Sequence, residues 1–137
     1  MRRIGKAAAW LALVVGLLQA GAAAAFELDG AWTTDADKCN QVFVQNKATK
    51  ALDFAEFPGV YGGGFIAEPD RLRSKFVNCK IKVKKEIGQD LNLVAACATD
   101  IMLSDVQFVL RIEGDDKIVR VFPGMEDIAL EYHRCRF

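Results

Sequence analysis

The sequence has little of what a catalytic site needs. His133 is the only histidine in the chain, and Ser74 and Ser104 are the only serines. His133 lies on a predicted strand, where alternation turns it to the face opposite that of Tyr132. Neither serine has the flanking pattern of a nucleophile elbow. Because no base and nucleophile are placed together, we predict no catalytic residues and no enzymatic activity.

The sequence also lacks the close cysteine spacing of a zinc site. Cys39, Cys79, Cys97 and Cys135 include no C-x-x-C pair, and only one histidine could join them. An even number of cysteines in a small exported domain instead predicts two structural disulfides, with three possible pairings. We therefore expect no metal and no cofactor; zinc is the alternative to the disulfides.

A segment suited to a retained membrane helix is absent, but a targeting segment is present. Residues 1–25 begin with three basic side chains, continue with an apolar run over 7–20 and end on alanines at 23–25. This order is typical of a signal peptide, whereas a retained span needs about 20 apolar residues. We predict cleavage before Phe26. Residues 26–137 would then form one domain, periplasmic or secreted from a bacterium and not integral to the membrane.

Short alternating segments dominate residues 26–137. Apolar and polar side chains alternate with period two, which is typical of half-buried strands. Predicted strands cover 52–57, 63–68, 80–87, 90–97, 105–114, 117–122 and 128–137, and only 35–48 is compatible with a short helix. Since no helical crossovers separate them, we predict an all-β antiparallel meander. About eight such strands tend to close into a barrel, which removes their edges; a two-sheet sandwich is the alternative.

The tripeptide Gly30-Ala31-Trp32 stands at the start of the first predicted strand. This G-x-W resembles the motif that opens lipocalins and related small ligand-binding barrels. In that family the tryptophan plugs the closed end of the barrel, and an arginine late in the chain packs on it. The resemblance implies that Trp32 is the plug, that Arg134 or Arg136 is its partner, and that the barrel carries a small apolar ligand.

A glycine run at 62–64 has two interpretations. Glycines cradle phosphate when they lead into the N-terminus of a helix, but a predicted strand follows here. We interpret the run as a sharp bend, or as a place where another side chain, for example Trp32, lies against the backbone.

Residues 71–85, RLRSKFVNCKIKVKK, hold seven basic residues and no acidic one, although residues 26–137 carry 15 basic and 18 acidic side chains. We predict two outward basic faces, separated by a tight turn or bulge at 77–78. Their members are Arg71, Arg73 and Lys75 on one face and Lys80, Lys82 and Lys84 on the other. Such a patch suits an anionic envelope component or an acidic protein. Nucleic acid is not expected, since Phe76 is the only interleaved aromatic residue; a solvated barrel wall is the alternative interpretation.

Two hypotheses for function remain. The first is an exported binding or inhibitory module that acts through its surface, with the basic strands as the leading patch. The second is a lipocalin-like carrier of a small apolar ligand. A cavity of at least about 300 Å³, the low end for ligand pockets, would favour the second.

The strand register also predicts the disulfide pairing. If 80–87 and 90–97 form a hairpin with a three-residue loop at 87–89, then Val83 faces Leu93 and Cys79 faces Cys97. The remaining pair, Cys39 with Cys135, would close the barrel seam. A bulge near residue 78 is the alternative, because it would turn Cys79 toward Cys39 or Cys135.

Overall fold

The computed structural model describes residues 25–137, so all of the predicted signal peptide except Ala25 lies outside the described residues. This part of the chain contains ten strands. They are β1 (Gly30–Thr33), β2 (Phe43–Gln45), β3 (Leu52–Phe54), β4 (Gly64–Glu68), β5 (Arg71–Arg73), β6 (Asn78–Ile87), β7 (Asp90–Ala98), β8 (Leu103–Ile112), β9 (Lys117–Val121) and β10 (Ala129–Arg134). Between residues 25 and 137, helical structure is limited to α1 (Cys39–Val42) and two short 3-10 turns, Ala36–Lys38 and Pro58–Tyr61. The prediction of an all-β protein is confirmed.

Eight strands form a closed antiparallel barrel in the order β1, β10, β9, β8, β7, β6, β5, β4. β1 closes it, because its two edges pair with β4 and β10. Trp32 consequently lies opposite Phe65 on one side and opposite Arg134 on the other. The predicted barrel is confirmed and the sandwich alternative is excluded. β2 and β3 form a separate hairpin.

The connections between barrel strands alternate between its two ends. Residues 25–29, the turn at 88–89 and the turn at 113–116 belong to one end, which we call the plugged end. The loops at 74–77, 99–102 and 122–128 join β5 to β6, β7 to β8 and β9 to β10, and they belong to the opposite end, the open end. Buried side chains, including Leu28 and Trp32, fill the plugged end, whereas the interior of the open end is only partly filled.

Two apolar clusters stabilise the fold. The first fills the barrel interior, and its most buried members are Leu28, Trp32, Leu91, Leu93, Ala95, Leu110 and Ile118. The second lies on the outer face of β1 and β4, beneath α1 and the β2–β3 hairpin; it contains Ala31, Val42, Phe43, Phe54, Ile66 and Cys135. Alternation along β1 explains the division, because Ala31 points outward and Trp32 inward. β1 is therefore buried on both faces.

Both predicted disulfides form. Cys79 and Cys97 are cross-strand partners with α-carbons 3.9 Å apart, and Cys39 bonds to Cys135 with α-carbons 5.6 Å apart. The Cys39–Cys135 bond was expected to close the barrel seam, but β1 closes it by pairing with β4 and β10. The disulfide instead holds the first turn of α1 against the end of β10.

The hairpin of β6 and β7 differs from the predicted register. The loop has two residues, not three, because Ile87 lies opposite Asp90. Lys84 therefore faces Leu93, and Val83 faces Val94. A bulge between Ile81 and Val83 then restores the alignment, so that Cys79 still meets Cys97. The predicted position of Val83 on the interior face was wrong: its side chain is exposed.

The structure contains no helix in residues 25–137 that is long and apolar enough to cross a membrane.

Candidate functional site: a cavity at the open end of the barrel

A cavity of about 370 Å³ lies inside the open end of the barrel. Its wall is mainly apolar, with Phe65, Leu72, Val106, Phe108 and Leu110 among the lining residues. The Cys79–Cys97 disulfide also lines it, and Val77 and Met102 reach it from the loops above. These side chains occupy inward positions of successive strands, so closure of the sheet brings them together.

Phe65 separates the cavity from the plugged end. Its ring stacks on Trp32, with ring centroids 6.4 Å apart, and meets Tyr132 edge-on at 5.1 Å. Phe65 and Tyr132 also line the cavity, whereas Trp32 does not. The two rings thus form a floor, and the cavity does not extend through the barrel.

Arg120 is the most unusual residue of the cavity wall. It lies on β9 opposite Leu110 of β8 and Leu130 of β10, in phase with buried Ile118. Alternation therefore directs it toward the barrel interior. Its guanidinium carbon is 4.6 Å from the ring centroid of Phe108 and 4.7 Å from that of Phe122. A cation is thus held between two aromatic rings at the edge of an apolar cavity.

The guanidinium of Arg120 has no polar partner in residues 25–137. It forms neither an ion pair nor a hydrogen bond there, unlike the arginines at 71, 73, 111, 134 and 136. No side-chain nitrogen or oxygen in this part of the chain is both fully buried and unbonded. Water therefore reaches the Arg120 donors, which stay available to a ligand.

Arg73 contributes to the cavity wall, but it is in phase with Ile66 of the outer cluster, so its guanidinium lies on the outer face of the barrel. It donates a 2.7 Å hydrogen bond to the carbonyl oxygen of Leu52 and lies 3.5 Å from carboxylate oxygens of Asp53 and Glu68. The guanidinium of Arg73 is therefore engaged by the protein outside the barrel, whereas that of Arg120 is directed toward the interior.

The loops around the open end expose apolar side chains. This apolar rim consists of Phe76, Ile101, Met102, Leu103, Met125 and Ile128. Ile101 is 95% exposed, although large aliphatic side chains are usually buried. A second hollow of about 350 Å³, which includes Phe57, Val60 and Phe76, adjoins the first, and the two share Gly64 and Ser74. Exposed apolar surface is thus concentrated where the cavity opens.

The plugged end is built around Trp32, which is fully buried. Its indole nitrogen donates a 2.8 Å hydrogen bond to the carbonyl oxygen of Leu28, and the guanidinium of Arg134 lies 4.3 Å from the ring. Arg134 donates hydrogen bonds to carbonyl oxygens of Glu27, Asp29 and Asp115. Arg136, the alternative partner from the sequence, pairs with Asp116 and is not stacked on Trp32.

Gly30 allows the arginine to reach the tryptophan. Its φ is +127°, and a Cβ atom there would lie 3.3 Å from a guanidinium nitrogen of Arg134. Asp29 directly precedes Gly30, and its carbonyl oxygen accepts from Arg134. Partial burial, followed by repulsion from Glu27, raises the pKa of Asp29, and the positive charge of Lys84 opposes the increase.

The predicted basic patch is only partly assembled. Arg71 and Lys80 lie directly opposite each other on β5 and β6. Arg71 and Arg73 contact Glu68, and Lys82 pairs with Asp105 at 2.8 Å. Lys75 donates to the carbonyl oxygen of Ala55. The chain turns at 74–77 and not at the predicted 77–78, because Asn78 is already the first residue of β6. The β6 bulge places Lys84 in phase with interior Leu93, so the prediction that Lys84 shares a face with Lys80 was wrong.

The remaining sequence features have structural roles. A Cβ atom on Gly64 would lie 2.2 Å from the Trp32 carbonyl oxygen and 2.9 Å from the Phe43 ring. This glycine therefore permits a close approach by the Trp32 backbone and by the side chain of Phe43, and not by the side chain of Trp32. His133 lies opposite Lys117 on β9, with Glu131 at 4.0 Å. No group of three or more potential metal ligands occurs in residues 25–137.

No protein-family model matches the chain, and neither a curated protein nor a solved structure is similar to it.

Sequence reasoning missed Arg120. The segment KIVRVF places Ile118, Arg120 and Phe122 in one phase. Since Ile118 is an interior residue, the same alternation would have placed a lone cation inside the barrel. The signal was present but was not distinguished from an ordinary charged strand residue.

Proposed function

We propose that the protein is an exported binding protein that holds a small, largely apolar molecule in the cavity at its open end. The observation that carries this proposal is the cavity of about 370 Å³ with an apolar wall and a floor formed by Phe65 and Tyr132. Ligand pockets typically measure about 300–1,000 Å³. The volume therefore favours a ligand near the small end of that range.

The apolar rim supports the same function. Ligand release and uptake require a mouth that an apolar molecule can cross, and side chains such as Ile101 and Met102 would contact the molecule there. Both disulfides support export, because such bonds persist in oxidising compartments. The lipocalin-like resemblance of Gly30-Ala31-Trp32 agrees with a carrier role.

Isothermal titration calorimetry of 1-decanol binding to the protein of residues 26–137 tests the proposal. We expect saturable binding with one site. Val106 lines the cavity, whereas the next residue, Gln107, is exposed on the outer face. Val106→Trp should fill the cavity and abolish binding, and Gln107→Trp adds the same side chain outside and should leave binding intact. Absence of binding to the unaltered protein, or equal binding by the Val106→Trp variant, would contradict the proposal.

Surface binding through the basic patch is the second candidate. The direct opposition of Arg71 and Lys80 favours it, because two neighbouring cations attract an anion. Arg71 already contacts Glu68 and Asp70, so Lys80 is the member of the pair that forms no ion pair within residues 25–137. Charge reversal of Lys80, Lys82 and Lys84 together should weaken retention on anionic lipid or glycan surfaces, and salt should reduce the remainder. Lys84→Glu alone is the control, because Lys84 lies on the other face. Unchanged retention by the triple variant would eliminate the patch.

A further inference from the structure

We infer that the cavity selects a single-chain amphiphile with a carboxylate head group, and that Arg120 binds the carboxylate. This inference rests on the proposed function, because it names the ligand class of the same cavity.

The first argument is the set of unused donors. A guanidinium carries five N–H donors and remains charged at any physiological pH. Those of Arg120 have no partner in residues 25–137, although four other arginines there each donate to a carbonyl or carboxylate oxygen. Burial of a cation beside an apolar wall without an anion is unfavourable. An arriving anion would therefore be bound more strongly than by a fully solvated arginine.

The second argument is orientation. Phe108 and Phe122 hold the guanidinium by cation–π contact, which consumes none of its conventional hydrogen bonds. Leu110 and Leu130, its neighbours across the strands, also offer no side-chain acceptor. The guanidinium of Arg120 is thus positioned before the ligand arrives, so binding costs little side-chain entropy.

The third argument is charge matching. A carboxylate bears one negative charge and accepts two parallel N–H bonds from a guanidinium. A phosphate monoester carries about −1.5 to −2 at pH 7 and would need a second cation. The guanidinium of Arg73 lies on the outer face of the barrel, where Asp53 and Glu68 contact it, so it supplies no second cation. One open arginine above an apolar cavity therefore fits a monoanionic head on an apolar tail.

Decanoate and 1-decanol, which share a ten-carbon chain, are the probes. Their dissociation constants at pH 7.5 are measured for the unaltered protein, Arg120→Met and Arg111→Met. Arg111 lies on β8 and pairs with Asp90, and its side chain is exposed, so its variant has the same loss of charge outside the cavity. We expect the unaltered protein and Arg111→Met to prefer decanoate by about tenfold or more, the range of a charge-assisted hydrogen bond. Arg120→Met should lose this preference and retain its affinity for 1-decanol.

Each other outcome is decisive. Equal affinity of the unaltered protein for the two probes, or a decanoate preference that survives in Arg120→Met, overturns the inference while the carrier function stands. Binding of neither probe overturns the carrier function and the inference with it. Thermal melting of the variants, together with the retained 1-decanol affinity, shows that the cavity has kept its shape.

Discussion

Each end of the barrel contains an arginine that contacts aromatic rings, but the two arginines are bonded differently. Arg134 lies 4.3 Å from the ring of Trp32 and donates hydrogen bonds to three backbone carbonyls. Arg120 lies between Phe108 and Phe122 and donates to no group in residues 25–137. Both arginines thus contact aromatic rings, but only Arg134 also has hydrogen-bond acceptors supplied by the protein within residues 25–137. The contacts of Arg134 therefore belong to the fold, whereas the absence of a polar partner for Arg120 within residues 25–137 is the basis for proposing it as the ligand contact.

The largest effect on stability is expected from the aromatic residue at the plugged end. Trp32→Ala should destabilise the protein by about 3–5 kcal/mol, because a large, fully buried ring is lost. Phe122→Ala at the open end should cost only about 1 kcal/mol, since its ring is partly exposed. Urea unfolding followed by circular dichroism measures both. A loss below about 1 kcal/mol for Trp32→Ala would show that the plug does not stabilise the fold.

The next largest difference in stability is expected between substitutions of Arg134 and of Arg120. Arg134→Met leaves the carbonyls of Glu27 and Asp29 without their donors and should cost about 2 kcal/mol. Arg120→Met removes no hydrogen bond within the described residues but removes the contacts with Phe108 and Phe122, and should cost about 1 kcal/mol or less. The same unfolding experiment compares them. Equal losses for the two variants would remove the distinction between a structural and an available arginine.

The smallest effect concerns Asp29 at the plugged end. Burial and Glu27 raise its pKa in the folded state, so folding favours the neutral carboxyl. That contribution is present below the unfolded value, about 3.9, and is lost as pH rises through the raised folded value. Asp29→Asn should therefore stabilise the protein at pH 7, by less than about 0.5 kcal/mol, and should have no such effect at pH 3. Melting temperatures across this range test the sign: destabilisation at pH 7 would contradict it.

The barrel and its disulfides could be predicted because period-two alternation is a local signal. It identified β6, β7 and β8 and brought Cys79 to Cys97. Two errors in the register cancelled: the shorter loop after Ile87 shifted the pairing by one residue, and the bulge near Lys82 shifted it back. A bulge depends on the strain of the closed sheet, which alternation alone does not reveal, and Val83 and Lys84 were misplaced for that reason.

The cavity could not be predicted in the same way. Its wall combines inward residues from β4 to β10, and its volume depends on how far those side chains fill the closed interior. Arg120 was within reach of the alternation pattern, but its missing partner was not. That observation needs the positions of every nearby carboxylate and carbonyl group.

Side-chain NMR tests the difference between the two ends most directly. The Nε–H resonances of Arg120 and Arg134 are followed as decanoate is added to the protein of residues 26–137, together with the methyl resonances of Met102, which lines the cavity, and Ile87, which is exposed at the plugged end. We predict saturable shifts for Arg120 and Met102, whereas the Arg134 and Ile87 resonances stay in place. Shifts centred on Arg134, or saturable binding that leaves Arg120 unmoved, would contradict the account.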